Sequence, residues 1–287
     1  MLITALFLML TSGTVTQEAL KWKSIVPGMQ LAWLNAKKPS PIGNSRILVI
    51  RIDPSRWQLV LVSKNQTGDK NGRTEREWAH DNDLVVAINA GMFAADYNRH
   101  VGYMDYRGQV NSGVINHYKS IAAFDPRNPV KSPPFRILDL DEPGITLDSI
   151  CQEYMSIVQN LRLIKRPGIN RWGKQDRKWS EAALGEDRHG RILFVFSRSP
   201  FSMHDLNEEL LSSEIELLAL QHLEGGPEAQ LYLNVGGVTL EVVGSYETGF
   251  QENNENTSAW KIPNVLGVKR KKVENTSIQV DDASLHP

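Results

Sequence analysis

The strongest constraint on the fold of this 287-residue chain is a series of apolar runs that are too short for helices and are bounded by turn-forming residues. Arg46–Ile52 and Trp57–Val62 flank an Asp-Pro turn, and Leu231–Leu233 and Val238–Val243 flank Gly236–Gly237. Runs of this length and composition are typical of buried β-strands, and a glycine pair between two of them is typical of a hairpin. We therefore predict two hairpins in these segments.

Two further apolar runs, Asp83–Asn89 and Arg191–Phe196, predict buried strands, whereas helix signals are few. One helix is predicted to begin at Ser202, because Ser202 and Asp205 form a capping pattern ahead of residues that are apolar on one face. Strands do not alternate regularly with helices, which argues against a doubly wound sheet. The sequence therefore predicts an α+β fold: a single domain with a mostly β, mixed-sheet core and a few flanking helices.

The chain divides into three predicted parts. Residues 1–17 contain a short apolar run followed by small residues, which is typical of a signal peptide and predicts export to the periplasm or to the outside of the cell. The alternatives are a buried N-terminal strand and a truncated start. Residues 18–269 form the predicted domain, and residues 270–287 are polar and lack periodicity, which predicts a flexible tail. No other segment is apolar enough to predict a transmembrane helix.

The overall charge excludes a strong global attraction to polyanions, since 32 basic and 33 acidic residues give a formal net charge of -1. We predict no nucleic-acid partner, and an anionic substrate would need local donors. The single cysteine, Cys151, excludes an intrachain disulfide, and no Cys/His spacing predicts a zinc site. No cofactor is required, although a divalent cation such as calcium could bind oxygen ligands. The sequence leaves the oligomeric state open.

Two polar segments that contain glycine follow predicted strands. Asn89 and Gly91 end one strand, where the amide could orient a substrate hydroxyl and the glycine lets the backbone approach a ligand closely. Glu224 precedes Gly225 and Gly226, and a carboxylate in such a position could act as a base, a nucleophile or a metal ligand. Each segment could equally be an ordinary turn with a solvated side chain.

A third segment leads from a buried strand into the predicted helix and could bind an anion. The helix N-terminus near Ser202 offers N–H groups and a favourable dipole, Arg198 offers a planar fork that suits phosphate, and His204 is a further donor. Ser202 and Asp205 could instead only cap the helix. The Trp- and Lys-containing loop Arg171–Ser180 could likewise stack on a sugar or form ordinary surface.

In their order along the chain, these segments resemble the phosphodiester glycosidase family. The family has an Asn-x-Gly-x-Phe strand end, which is matched by Asn89, Gly91 and Phe93. It has an Ala-x-Gly segment before a core strand, which is similar to Ala182–Gly185. It also has a late carboxylate-Gly-Gly motif, which is matched by Glu224–Gly226.

The chain departs from the family pattern in two places. The late motif usually begins with aspartate, whereas this chain has Glu224. An arginine often precedes the Ala-x-Gly segment, whereas Ser180 and Glu181 stand there in this chain. The chain therefore looks like a divergent, bacterial-type member.

The resemblance implies a hydrolase that cleaves a sugar from the phosphate of a sugar-1-phosphodiester, with a sugar-phosphate or glycan as its substrate. A phosphate is a good leaving group, so the site must mainly stabilise an anion, activate water and support a positive anomeric centre. The catalytic candidates are Glu224, Asp205 and Asn89; the substrate-binding candidates are Arg198, His204, Ser202, Gly91, Phe93, Gly225 and Gly226; no metal ligand is assigned. We expect these segments to converge around one cavity. The alternatives are a non-catalytic carbohydrate-binding protein and an envelope scaffold protein on the same fold.

Overall fold

The structure is a computed structural model that describes residues 20–271. The predicted signal peptide, residues 1–17, and all of the predicted tail beyond Lys271 lie outside the described residues. The described chain is built mainly from strands, which are β1 (Lys23–Val26), β2 (Met29–Asn35), β3 (Arg46–Ile52), β4 (Trp57–Ser63), β5 (Val86–Asn89), β6 (Met104–Tyr106), β7 (Gln109–Ser112), β8 (Ser120–Pro126), β9 (Phe135–Asp139), β10 (Tyr154–Asn160), β11 (Arg162–Lys165), β12 (Ile169–Asn170), β13 (Trp179–Asp187), β14 (Ile192–Phe201), β15 (Leu217–Gly225), β16 (Gln230–Val235), β17 (Val238–Val243) and β18 (Asn264–Arg270). The helices are α1 (Lys64–Thr67), α2 (Glu75–Asp81), α3 (Leu147–Glu153) and α4 (Met203–Leu211).

The strands form three sheets. The first sheet has eight strands in the order β1-β2-β3-β14-β13-β15-β11-β12. The second has the order β17-β16-β5-β18-β4, and the third has the order β7-β6-β10-β8-β9. The pairings recorded within residues 20–271 are antiparallel. The predicted α+β fold with a mostly β core is thus confirmed, but its sheets are antiparallel rather than mixed, since many neighbouring strands are joined by hairpin turns.

The three sheets share one interior, and a helix covers the other face of each. In β3, Leu48 and Ile50 face the shared core, whereas Ile47 and Val49 face the side that α4 covers. Helices α2 and α3 cover the outer faces of the second and third sheets in the same way. Strands buried on both faces lose the usual polar alternation, which explains the continuous apolar runs in the sequence.

The two predicted hairpins have different outcomes. β16 and β17 pair as predicted, with Gly236 and Gly237 in the turn between them. The predicted pairing of β3 with β4 is wrong, because β3 pairs with β2 and β14 whereas β4 pairs with β18. The Asp-Pro turn carries the chain from the first sheet to the second. Both strands still contribute alternate residues to the same core, so their apolar pattern could not distinguish a hairpin from a crossing between sheets.

The predicted helix at Ser202 is confirmed as α4, and the Ser202 hydroxyl accepts a hydrogen bond from the backbone N–H of Asp205. The segment that follows Asp148, which carries both helix and strand signals, divides between α3 and β10. Both outcomes matter for the site, because α4 lies on the first sheet and β10 ends beside β5. The side-chain amide of Asn160, at the end of β10, donates to the carbonyl of Ala90 at 3.1 Å.

Candidate active site

The end of β15 is shaped by a β-bulge and by two glycines. β13 pairs Ala182 with Glu224 but Ala183 with His222, so Leu223 is an extra residue in β15. Bulges of this kind redirect side chains and are frequent beside active sites. Beyond Glu224, a Cβ on Gly225 would lie 2.9 Å from the Trp179 ring, and Gly226 has a φ of 61°. Both positions therefore favour glycine, which brings the backbone close to its neighbours.

Asn89 is buried and holds the turn that follows Gly226. Its Nδ2 donates to the carbonyl of Glu228 at 2.9 Å, and its Oδ1 accepts from the backbone N–H of Gln230 at 2.8 Å. Both ends of the amide are thus bonded to the backbone of the turn. The structure brings the 89 and 224 segments together, as expected, and Asn89 contacts the backbone of the Glu224 loop directly.

Gly91 and Phe93 lie on the same side of this turn. A Cβ on Gly91, whose φ is 149°, would lie 2.3 Å from Oδ1 of Asn160, so only glycine fits between β5 and the end of β10. The Phe93 ring packs edge-on against Tyr97 with a centroid distance of 4.5 Å. The last residue of the Asn-x-Gly-x-Phe motif thus packs against Tyr97.

A buried chain of hydrogen bonds lies beside Glu224. Nδ1–H of His222 donates to Oε1 of Glu181 at 2.7 Å, and Nε1–H of Trp179 donates to the other oxygen, Oε2, at 2.7 Å. Burial lowers the pKa of His222 more than any other single effect, but the charge and hydrogen bond of Glu181, together with the charges of Glu224 and Glu247, raise this pKa overall. Burial also raises the pKa of Glu181, while His222 and Trp179 oppose this rise. The pair is thus locked in orientation by Trp179.

Glu224 has the most perturbed acidity of the residues around this turn. Burial raises its pKa to about 8, and the negative charges of Glu228 and Glu181 act in the same direction. His222 and the backbone N–H of Gly225, which donates to Glu224 at 3.2 Å, oppose the rise. Glu224 is nevertheless partly exposed. A partly accessible carboxyl that keeps its proton at neutral pH is a typical acid-base group.

Other ionisable groups surround this carboxyl. Burial raises the pKa of Glu228, and the charge of Glu247 adds to the rise. Burial also raises the pKa values of Tyr97 and Tyr118, and in both cases the charge of Glu224 contributes. Two phenols and several carboxyls therefore lie close enough to this turn for their charges to influence one another. Such a set can donate and accept protons and can bind sugar hydroxyls.

The predicted anion-binding segment is engaged elsewhere. Arg198 donates to three backbone carbonyls, those of Val243 at 2.7 Å, Asn254 at 3.0 Å and Asn256 at 2.8 Å. These hydrogen bonds from the guanidinium hold the loop that follows β17 in place. Ser202 caps α4. The phosphate-binding role of both residues stays a prediction, and the hydrogen bonds recorded within residues 20–271 do not join them to Glu224.

Asp205 and His204 lie on the first turn of α4. Asp205 forms an ion pair with Lys38 at 3.1 Å, and His204 Nδ1 lies 3.5 Å from Asp205. Burial by itself raises the pKa of Asp205, but hydrogen bonds from Lys38 and Ser202 lower it overall. Asp205 lines a separate cavity of about 300 Å³ with Lys174 and Lys178. The 89 and 224 segments are therefore in contact, whereas the side chains of the 198–205 segment make other contacts, and the expected convergence around one cavity stays a prediction.

Sequence reasoning misses several residues of the site. It marks Glu181 only as a departure from the family pattern, and it does not single out Tyr97, Tyr118 or Glu228. One signal is available for Glu181: a carboxylate directly before the apolar run Ala182–Leu184 needs a partner if the strand is buried. The sequence could not show that this partner is His222, because the pairing depends on the bulge in β15.

Within residues 20–271, no three His, Cys, Asp or Glu side chains are arranged to hold a metal ion. In the same range, no helix is long and apolar enough to span a membrane.

A family model described as phosphodiester glycosidase matches residues 82–269, which is more than half of the chain. No curated protein matches the chain by sequence. Among solved structures, the chain is similar to the catalytic domain of zebrafish N-acetylglucosamine-1-phosphodiester α-N-acetylglucosaminidase, which is auto-inhibited by its pro-peptide in that structure. The TM-score is 0.62 at 13% sequence identity, and the match covers 88% of this chain and 87% of the zebrafish chain. It is also similar to a hypothetical protein from Synechocystis, with a TM-score of 0.59 at 15% sequence identity. This match covers 89% of the present chain and 64% of the Synechocystis chain.

Proposed function

The chain belongs to the phosphodiester glycosidase family, and from this premise we propose that it hydrolyses the bond between the anomeric carbon of a sugar and the phosphate of a sugar-1-phosphodiester. Water attacks the anomeric carbon, the bond from that carbon to the phosphate oxygen breaks, and the products are a free sugar and a phosphomonoester. The observation that carries the proposal is the Glu224 carboxyl, which is partly exposed and has a pKa of about 8.

Glu224 acts as the proton donor in this proposal. A protonated carboxyl donates a hydrogen bond to the departing phosphate oxygen, whereas an ionised one at the same distance would repel the anion. Because a phosphate leaves readily, the transition state needs only partial proton transfer. Burial and the carboxyls of Glu228 and Glu181 keep the proton on Glu224 at neutral pH.

Glu228 is the proposed acceptor for the proton of the attacking water. Its backbone carbonyl is held by Asn89 at 2.9 Å, which fixes the turn that carries it. Asn89 is thus proposed as a positioning residue rather than a group that touches the sugar. Tyr97 and Tyr118 are proposed to contact sugar hydroxyls, since phenols combine an apolar face with a polar tip.

His222 and Glu181 orient the site in this proposal. Their 2.7 Å hydrogen bond holds a positively polarised imidazole next to Glu224, which limits the rise of the Glu224 pKa. Gly91, Phe93, Gly225 and Gly226 shape the walls. We also propose that the protein acts after export, which the apolar N-terminal run supports.

The test uses purified chain and two substrates with the same chromogenic group. One is an aryl phosphodiester of N-acetylglucosamine 1-phosphate, chosen because the zebrafish relative is named for this bond, and the other is the aryl glycoside without phosphate. We expect turnover of the diester only, giving free sugar and aryl phosphate. In ¹⁸O-labelled water, the aryl phosphate should form without label, because water attacks the anomeric carbon and not phosphorus. Aryl phosphodiesters of hexose 1-phosphates and of other N-acetylhexosamine 1-phosphates are then tested as alternative substrates.

The competing function is non-catalytic carbohydrate binding. It predicts saturable binding of the diesters with no turnover of any of them. Label in the aryl phosphate would also contradict the proposal, because it would mean attack at phosphorus.

A further inference from the structure

A large groove lies away from the turn that carries Glu224. It has a volume of about 830 Å³ and lies where the start of β4, the end of β8 and the end of β18 meet. Four prolines and Met155 are among its lining residues. Lys269, Arg270 and Lys271 also line it, at the boundary between the predicted domain and the predicted tail.

The charge of this groove differs from that of the whole chain. Its lining residues include four cations, the three just named and Arg107, against one carboxylate, Asp125. Arg107 and Asp125 neutralise each other through two hydrogen bonds of 3.0 and 2.6 Å. Within residues 20–271, Lys269, Arg270 and Lys271 have no carboxylate partner. Counting only the residues that the structure describes, the groove therefore presents three positive charges without a carboxylate partner, on a chain with a formal net charge of -1.

Contacts with neighbouring residues hold these three cationic residues in place. The Arg270 guanidinium lies over the Trp57 ring at 5.0 Å from its centroid, which restrains the side chain through a cation–π contact. Lys269 belongs to β18, where it pairs with Gln58, and the backbone N–H of Lys271 donates to the carbonyl of Arg56 at 3.4 Å. The backbone under all three residues is thus fixed, and less ordering is needed when a ligand binds.

The groove lies away from the candidate active site along β18. Asn89 pairs with Val265 in this strand, and Arg270 is five residues further on. At about 3.4 Å per residue, the two regions are separated by about 17 Å along the sheet. A small substrate at Glu224 could not reach the groove, whereas a chain of several units could.

We propose that this groove binds the phosphate groups of a linear polyanion that lacks nucleobases, such as an anionic glycopolymer. Cations without a carboxylate partner among residues 20–271 complement the regular charges of such a chain, and the prolines and Met155 that also line the groove suit its uncharged links. The groove would bind this ligand whether or not the carboxyls at the other end of β18 cleave a glycosyl phosphate.

The aromatic residues of the groove argue against single-stranded nucleic acid. Proteins that bind single strands stack bases on exposed aromatic rings. In this groove, Trp57 is 2% exposed and Phe124 is 1% exposed, so neither ring offers a free face for a base. The cations are therefore the main recognition groups that a ligand would meet.

The experiment measures binding of fluorescently end-labelled linear polyphosphate to the full chain over a range of salt concentrations. Lys269→Gln with Lys271→Gln removes two cations and leaves the Arg270–Trp57 contact in place. We expect the Kd to rise at least tenfold at low salt. The slope of log K against log salt should fall in magnitude by about 2, roughly one unit for each phosphate that a lysine no longer neutralises.

The matched control is Lys23→Gln with Lys70→Gln, which changes the net charge equally at two exposed lysines outside the groove. It should leave the Kd within about twofold of the original value. Equal losses of affinity in the two double variants would overturn the proposal, as would no binding of polyphosphate to the original chain at low salt.

Two further measurements identify the ligand class. Oligothymidylate with the same number of charges should bind no more tightly than polyphosphate, and tenfold tighter binding would overturn the assignment to a base-free polymer. Hydrolysis of the small aryl phosphodiester should be unchanged in Lys269→Gln with Lys271→Gln. If the original chain fails to hydrolyse that diester yet binds polyphosphate through these lysines, the proposed hydrolysis fails while the groove assignment stands.

Discussion

The end of β15 and the first turn of α4 each carry a carboxylate that the sequence marks as catalytic, and the two carboxylates differ in acidity. At the end of β15, burial raises the pKa of Glu224 to about 8, with neighbouring carboxyls acting in the same direction. On α4, Lys38 and Ser202 outweigh the effect of burial and lower the pKa of Asp205. Residue type and a glycine-rich or helix-capping context select both positions, but only the surroundings decide which carboxyl can hold a proton at neutral pH.

The largest expected difference between these regions is kinetic. Glu224→Gln should lower kcat for the aryl phosphodiester by roughly 10²–10⁴-fold, because the amide cannot supply a proton. Steady-state kinetics with a check of native folding by circular dichroism measures the effect. Turnover within threefold of the original value would remove Glu224 from the mechanism.

The pH dependence should follow Glu224 and not Asp205. The active form of Glu224 is the protonated one, so activity should fall above a pH of about 8, by about tenfold per pH unit. Measuring kcat of the original chain from pH 5 to 10 gives this fall, which is the alkaline limb of the pH-rate profile. Activity that instead rises through pH 8 would mean that Glu224 acts as a base, which reverses the assigned role.

A smaller effect is expected for the partner of His222. Glu181→Gln should lower kcat roughly ten- to hundredfold, the range seen for outer partners of reactive groups. Loss of the Glu181 charge lowers the pKa of His222, so Glu224 loses its strongest opposing charge. This exceeds the smaller, opposite effect of losing the Glu181 charge beside Glu224, and the alkaline limb should move to higher pH. A lower kcat with an unmoved limb would indicate a purely structural role.

Trp179→Phe is the matched control for this network. It removes the N–H that donates to Oε2 of Glu181 at 2.7 Å but keeps a ring against Gly225. We expect a smaller loss of kcat than in Glu181→Gln and a limb that stays closer to its original pH. An effect larger than that of Glu181→Gln would show that packing, and not the carboxylate, maintains the site.

The smallest effect is expected at Asp205. Asp205→Asn should change kcat less than threefold and lower the free energy of unfolding by less than about 1 kcal/mol, as is usual for exposed ion pairs. Because the pKa of Asp205 is lowered in the folded chain, this stabilisation is present at neutral pH and is lost as the pH falls through that value. Urea unfolding at pH 7 and pH 3 measures it. A loss of kcat comparable to that of Glu224→Gln would place α4 in the catalytic site.

Part of the fold could be predicted from local sequence signals. Six of the strands, the Gly236–Gly237 hairpin and the cap at Ser202 follow from residue types within a few positions of each other. The pairing of β3 with β14 could not be predicted, because its two strands are about 140 residues apart and share the apolar pattern of every other buried strand. The Asp-Pro turn therefore predicted a hairpin where the chain changes sheets.

Residues of the candidate site could be predicted from the sequence where a motif requires glycine for an unusual backbone conformation. Gly91 and Gly226 have φ values of 149° and 61°, and glycine in these segments marked the turns that meet at Asn89. The Glu181–His222 pair was not predictable, because it depends on one extra residue in β15. Arg198 looked like a phosphate ligand, yet its donors bind backbone carbonyls 45 to 58 residues further along the chain.

The claim that Glu224 keeps its proton at neutral pH can be measured directly by ¹³C NMR of the chain labelled at glutamate side-chain carboxyls. The resonance absent from Glu224→Gln identifies the group. Its chemical shift should titrate with a midpoint near pH 8. A midpoint near the ordinary glutamate value of about 4.3 would contradict the account, since Glu224 would then be ionised whenever the protein works.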